Sequence, residues 1–106
     1  MPKYLLQVNY TLDGVRGVLA KGGSARKAAA EAAIANAGGK IDAMYFAFGP
    51  TDVFVIADLP DNAAAATVAL TVSAGGGATV TTTVLMTPED IDGAAEHKVE
   101  YRPPGS

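Results

Sequence analysis

The side chains able to do chemistry are few and spread along the chain. Asp52 follows the turn Gly49-Pro50-Thr51. Two roles fit it: a turn residue that accepts backbone hydrogen bonds, or a carboxylate at the rim of a pocket. Arg26 comes just after Gly22-Gly23-Ser24. Its guanidinium, a planar fork of donors, suits either an ion pair with Asp52 or Asp58 or an anionic ligand. Tyr10 and Tyr45 bring hydroxyls, but both also fit core or interface positions. Gln7, Asn9 and Thr11 alternate along one segment, and Thr79, Thr81 and Thr83 along another. A spacing of two places each set on one face of a strand. The chain has no Cys and a single His. Disulfides, thiolate metal sites and a cysteine nucleophile are therefore excluded. His97 falls in the polar C-terminal stretch, and Asp90 and Asp92 read as a solvated pair. No metal site and no cofactor are expected.

Two glycine clusters invite a phosphate-loop reading. Gly75-Gly76-Gly77 comes after a helix and before a strand, whereas a phosphate cradle needs a strand, a loop and then a helix N-terminus. Neither cluster has the spacing of the nucleotide-binding fingerprints, and no Lys-Ser or Lys-Thr pair follows. Gly22-Gly23-Ser24 does precede a helical segment beside Arg26, which leaves anion binding there open.

The elements that must position these residues follow from periodicity and punctuation. Lys3–Thr11 predicts a strand with Leu6, Val8 and Tyr10 on one face. Val15–Lys21 predicts a short helix that Gly22-Gly23 breaks. Ser24 is then the N-cap of a second, alanine-rich helix over Ala25–Ala37, with Gly38-Gly39 as its left-handed stop. Lys40–Phe48 predicts a second strand, with Ile41, Ala43, Tyr45 and Ala47 on one face and Asp42, Met44, Phe46 and Phe48 on the other. Asp52–Leu59 is a third strand, apolar on both faces, which suits a central place in a sheet. Asp61 caps a helix to about Ala74, and Ala78–Thr87 is a Thr/Val-rich fourth strand. Pro88–Ile91 begins one turn of helix, and a polar, flexible tail follows from Gly93.

The order β-α-β-β-α-β, two crossovers split by a hairpin, predicts an α+β ferredoxin-like sandwich. Its antiparallel four-stranded sheet would run in the order 4-1-3-2, with both helices on one face. The other face is left open, polar on strands one and four and more apolar on strands two and three. Either its polar groups simply meet water, or two open faces meet in a dimeric α/β barrel-like assembly and enclose a partly polar space. Hydrophobic residues make up 49% of the chain but aromatics only 7%. Alanine fills the difference and yields little on burial. Such a thin core favours cover by a second subunit.

Several motifs resemble the GYD domain, a family of small prokaryotic proteins. They are Tyr10-Thr11 with Gly14, Arg26 after the Gly-Ser stretch, Gly38-Gly39-Lys40 followed by Tyr45, Phe48-Gly49-Pro50-Thr51-Asp52, and Ala57-Asp58-Leu59-Pro60-Asp61. The resemblance covers about residues 3–87. It departs at Thr51, where the family carries a Tyr. It implies a fold similar to the dimeric α/β barrels and no established activity, so it assigns no catalytic residue.

The net charge of −3 argues against a general nucleic-acid binder. No apolar run is long enough for a membrane span, and Met1–Gln7 does not read as a signal peptide. The expectation is a bacterial, cytoplasmic domain over residues 1–92 with a tail over 93–106. Its expected function is that of a non-enzymatic homo-oligomer, a dimer or larger, binding a small molecule or a protein partner. The alternatives are a cofactor-independent enzyme of the barrel type and a purely structural assembly protein. The candidate ligand-binding residues are Gln7, Asn9, Tyr10, Arg26, Tyr45, Asp52, Thr81 and Thr83.

Overall fold

The computed structural model describes residues 1–105. Its elements are β1 (Lys3–Tyr10), α1 (Leu12–Asn36), β2 (Lys40–Phe46), β3 (Val53–Asp58), α2 (Asn62–Ala74), β4 (Ala78–Leu85) and α3 (Pro88–Glu96). The strands form one antiparallel sheet in the order β2-β3-β1-β4. This is the expected ferredoxin-like arrangement with a third helix added.

Alternation in β1 works as the sequence implies. Tyr4, Leu6, Val8 and Tyr10 turn toward the helices, and Lys3, Leu5, Gln7 and Asn9 toward the open face. Val53, Val55 and Ala57 of β3 complete the inner surface. The helices contribute little to it: Ile34 is the one buried residue of α1, and Ala65 and Val68 are those of α2. Tyr4 is 1% exposed. Its buried hydroxyl donates to Asn62 Oδ1 at 2.7 Å, tying β1 to the start of α2.

Three local expectations are corrected. First, the caps of the helical run differ. The expected break at Gly22-Gly23 is present: Gly22, with φ of 83° and ψ of 171°, is non-helical, and two helical stretches meet there within α1. Thr11 caps the first stretch, which begins at Leu12 rather than Val15, and its side chain accepts from Gly14 N–H. Ser24 lies inside the second stretch rather than at its cap. Second, β2 does not alternate cleanly. Its pairing with β3 shifts between Ile41 and Ala43, and the bulge leaves Asp42 as the extra residue. Ile41 and Met44 thus both meet the core, where strict alternation puts them on opposite faces. Third, Pro88 opens a helix of 9 residues rather than a single turn. Thr87 and Asp90 form a reciprocal capping box at its start.

Helix α1 also shows why glycines flank β1. A Cβ built on Gly14 would lie 1.9 Å from the Gly77 carbonyl oxygen, whereas one on Gly17 meets nothing within 4 Å. Thr11 N–H donates to that same carbonyl at 3.0 Å, so the start of α1 is pinned to the α2–β4 loop. Gly14→Ala should therefore destabilise the fold by about 1–3 kcal/mol. Gly17→Ala, one turn further on, should stabilise it by about 0.5–1 kcal/mol. Urea unfolding of the two variants checks the opposite signs.

Candidate functional site

The eight residues singled out from the sequence fall into three places. At the end of the sheet, Asp52 and Asn9 interlock. Tyr10 N–H donates to Asp52 Oδ2 at 2.8 Å. Asp52 N–H donates to both Asn9 Oδ1 and the Val8 carbonyl, each at 3.1 Å. Ala47 N–H donates to the Asp52 carbonyl at 2.8 Å. These bonds tie the β2–β3 loop onto the end of β1, and they give Asp52 the turn-residue role.

The second place is the open face. Strand register sets Tyr45 opposite Phe54, Phe54 opposite Gln7, and Gln7 opposite Thr81. The next row sets Ala43 opposite Ile56, Ile56 opposite Leu5, and Leu5 opposite Thr83. The face thus carries an apolar patch from β2 to β1 with a threonine margin on β4. Tyr45 is 72% exposed.

The third place is a cleft on the helix side, and there Tyr10 and Arg26 come together. Helix α1 packs on β1 and β2, and α2 on β4. The gap between the helices lies over the middle of the sheet. Ala29, Ala30 and Ala33 are too short to fill it. A cavity of about 100 Å³ results, floored by Leu6, Val8 and Val55. A wider, open cleft of about 430 Å³ holds Lys21, Asp13 and the glycines before β4. Tyr10, Arg26, Val72 and Ala78 line both spaces. Arg26 pairs with neither Asp52 nor Asp58. Among the described residues the ion pairs are those of Lys3 with Asp42 and with Asp58. The cleft is therefore an apolar pocket with a guanidinium at its mouth and Lys21 and Asp13 on its open side.

The Lys3 cluster is a feature the sequence reading missed. Lys3 and Asp58 stand directly opposite in the β1–β3 register, with Lys3 Nζ 2.9 Å from Asp58 Oδ1. The bulge brings Asp42 to the same ammonium group. The one available signal was a charge at each end of two otherwise apolar strands. The Lys3 hydrogen bond holds the Asp58 carboxyl below its ordinary range, against the opposing effect of burial. Hydrogen bonds to Asp42 and Asp58 push Lys3 upward.

The class is that of an α+β ferredoxin-like domain with a cleft beneath its helices that Arg26 lines. The chain matches the GYD domain over residues 4–95 and belongs to that family. No curated protein and no solved structure matches it. Among the described residues, no helix is long and apolar enough to cross a membrane.

The Lys3 cluster has a pH signature. A depressed carboxyl pKa contributes stability above its unfolded value, and that contribution is lost as pH falls through the folded value. Thermal melts should thus show a falling Tm on acidification below about pH 4. Lys3→Met should flatten that fall, because Asp58 then titrates more nearly as it does in the unfolded chain.

Proposed function

We propose that this GYD-domain protein is a homo-oligomeric binding protein whose cleft takes a small molecule with an apolar body and one anionic group, such as a carboxylate. The observation that carries this reading is Arg26. It lines both the apolar cavity and the open cleft, and among the described residues it has no carboxylate partner. A guanidinium favours a planar carboxylate with two parallel hydrogen bonds; on the open side Lys21 and Asp13 offset each other in charge, which leaves Arg26 as the net cation. The alanines behind it accept an apolar ring or short chain. Asp52, the carboxylate nearest to a general-base role, is engaged at the sheet end instead, which supports binding over catalysis.

Benzoate is a suitable probe, with an apolar ring and one carboxylate. Calorimetry should show it binding, and Arg26→Gln should weaken the affinity at least tenfold while leaving the fold intact by circular dichroism. Equal affinity of the variant and the parent, or no benzoate binding at all, would sink the reading.

The oligomer rests on a separate observation, the patch of Leu5, Phe54 and Ile56 on the open face. A second sheet stacked on it removes this patch from water. Phe54→Asp places a charge at its centre and should shift the mass found by light scattering from a multiple of the chain to the single chain. A parent protein that is already monomeric at tens of micromolar contradicts the stacked-sheet assembly.

A further inference from the structure

The C-terminal arm is out of proportion to the body. The radius of gyration is 17.0 Å, and the longest extent is 58 Å against 32 and 23 Å. A compact chain of this length has a radius of about 13 Å. Every residue of α3 is exposed, although the helix is well capped and strongly two-sided. At 100° per residue, Pro88, Ile91, Ala94 and Ala95 form one face, and Asp92, Glu96 and Glu89 the flank beside it. Residues 88–106 hold Glu89, Asp90, Asp92, Glu96 and Glu100 against Lys98 and Arg102, which accounts for the whole net charge of −3.

A matching surface lies on the first half of α1. Leu12, Val15 and Leu19 recur at helical spacing and are 65%, 41% and 82% exposed. Arg16 lies on the flank of that stripe, whereas Lys21 faces the cleft on the other side of the helix. The segment Leu12–Lys21 and helix α3 are both about 13–15 Å long. The stripe cannot belong to the arm of its own chain. Tyr10 pairs with Ala78 and Lys3 with Leu85, so α1 begins at one end of the sheet and β4 finishes at the other. Those ends are about 23 Å apart. The link through Met86 and Thr87 spans about 10 Å at most, and α2 already covers β4.

We infer that α3 crosses to a second copy of this chain and lays its apolar face on the Leu12/Val15/Leu19 stripe of that copy's α1. The two helices run antiparallel, because that direction brings like flanks together and so sets Asp92 beside Arg16. Val15 then lies next to Ile91. Repeated by two-fold symmetry, the exchange closes a dimer. This contact goes beyond the cleft reading and does not rest on it.

The absence of Cys makes the test clean. Two full-length variants, Val15→Cys and Ile91→Cys, are mixed in equal amounts and oxidised mildly. The mixed disulfide dimer should exceed its statistical share several-fold. Adding Arg16→Glu to the first partner should reduce it several-fold, and adding Asp92→Lys to the second should restore it. All four positions are exposed, and circular dichroism confirms that each variant is folded. A statistical mixture, no cross-link, or preferential linkage of Ile91→Cys to Phe54→Cys on the open face would each overturn the assignment.

Discussion

Two helices that bury only Ile34, Ala65 and Val68 have to cover one face of a four-stranded sheet. The rest of the molecule depends on that shortage of side-chain volume. A fully buried isoleucine contributes about 1.5–3 kcal/mol, and an alanine far less. The sheet supplies most of the core through Tyr4, Leu6, Val53, Val55 and Ala57. The helices rest on it more like a lattice than a lid. Alanine gives α1 and α2 high helix propensity, so they form readily, but they cannot close the space between them. The cleft below Arg26 is the direct result.

Polar contacts at the sheet ends do the positioning that a larger core would otherwise do. Thr11 shows this most economically. Its backbone N–H holds the Gly77 carbonyl, its hydroxyl donates to the Gly76 carbonyl at 2.8 Å, and the same oxygen caps α1. One residue thus anchors a helix start to the loop before β4, the loop that also borders the open cleft. Asp52 and Asn9 do the same for the β2–β3 loop. Groups of this kind look chemical in a sequence because they are polar and sit next to glycines. Their donors and acceptors are already used by the backbone, which is why the polar residues of the sheet end and the cation that lines the cleft are different groups.

What the sequence disclosed, and what it hid, follows from the range of the interactions involved. Element order, sheet order and the faces of β1 depend on local periodicity and turn residues, and they read directly. So does Asp61, whose side chain accepts from Ala64 N–H at 2.8 Å as an N-cap should. The bulge at Asp42 is a matter of register against β3, and no local pattern records it. The break at Gly22-Gly23 reads directly as well, whereas the cap of the stretch after it does not, because Gly22 itself makes the turn that Ser24 was expected to cap. Helix α3 was legible in part: Thr87-Pro88 with Asp90 is a capping signature, but Gly93 and the acidic residues obscured its length. Of the site candidates, Tyr10 and Arg26 were singled out separately. Only the crossing of α1 over the sheet shows that they share a cleft, and Asp52 belongs to a different contact.

The thin core also joins binding to stability. The side chains around the space of about 100 Å³ lack partner atoms on one side and so forgo part of their dispersion contacts. A ligand that filled it would supply those contacts in addition to an ion pair with Arg26. Any group that binds the folded chain alone raises its stability by mass action. The alanines therefore have a double consequence. They leave the free domain with little to spare against a total that is only about 5–15 kcal/mol in ordinary domains, and they leave a space whose occupant would be worth a noticeable fraction of it. A sequence selected only for a stable monomer would place leucine or valine at Ala29, Ala30 or Ala33. Small residues at three neighbouring positions, beneath a guanidinium that has no carboxylate partner among the described residues, are the arrangement that the proposed occupant would require.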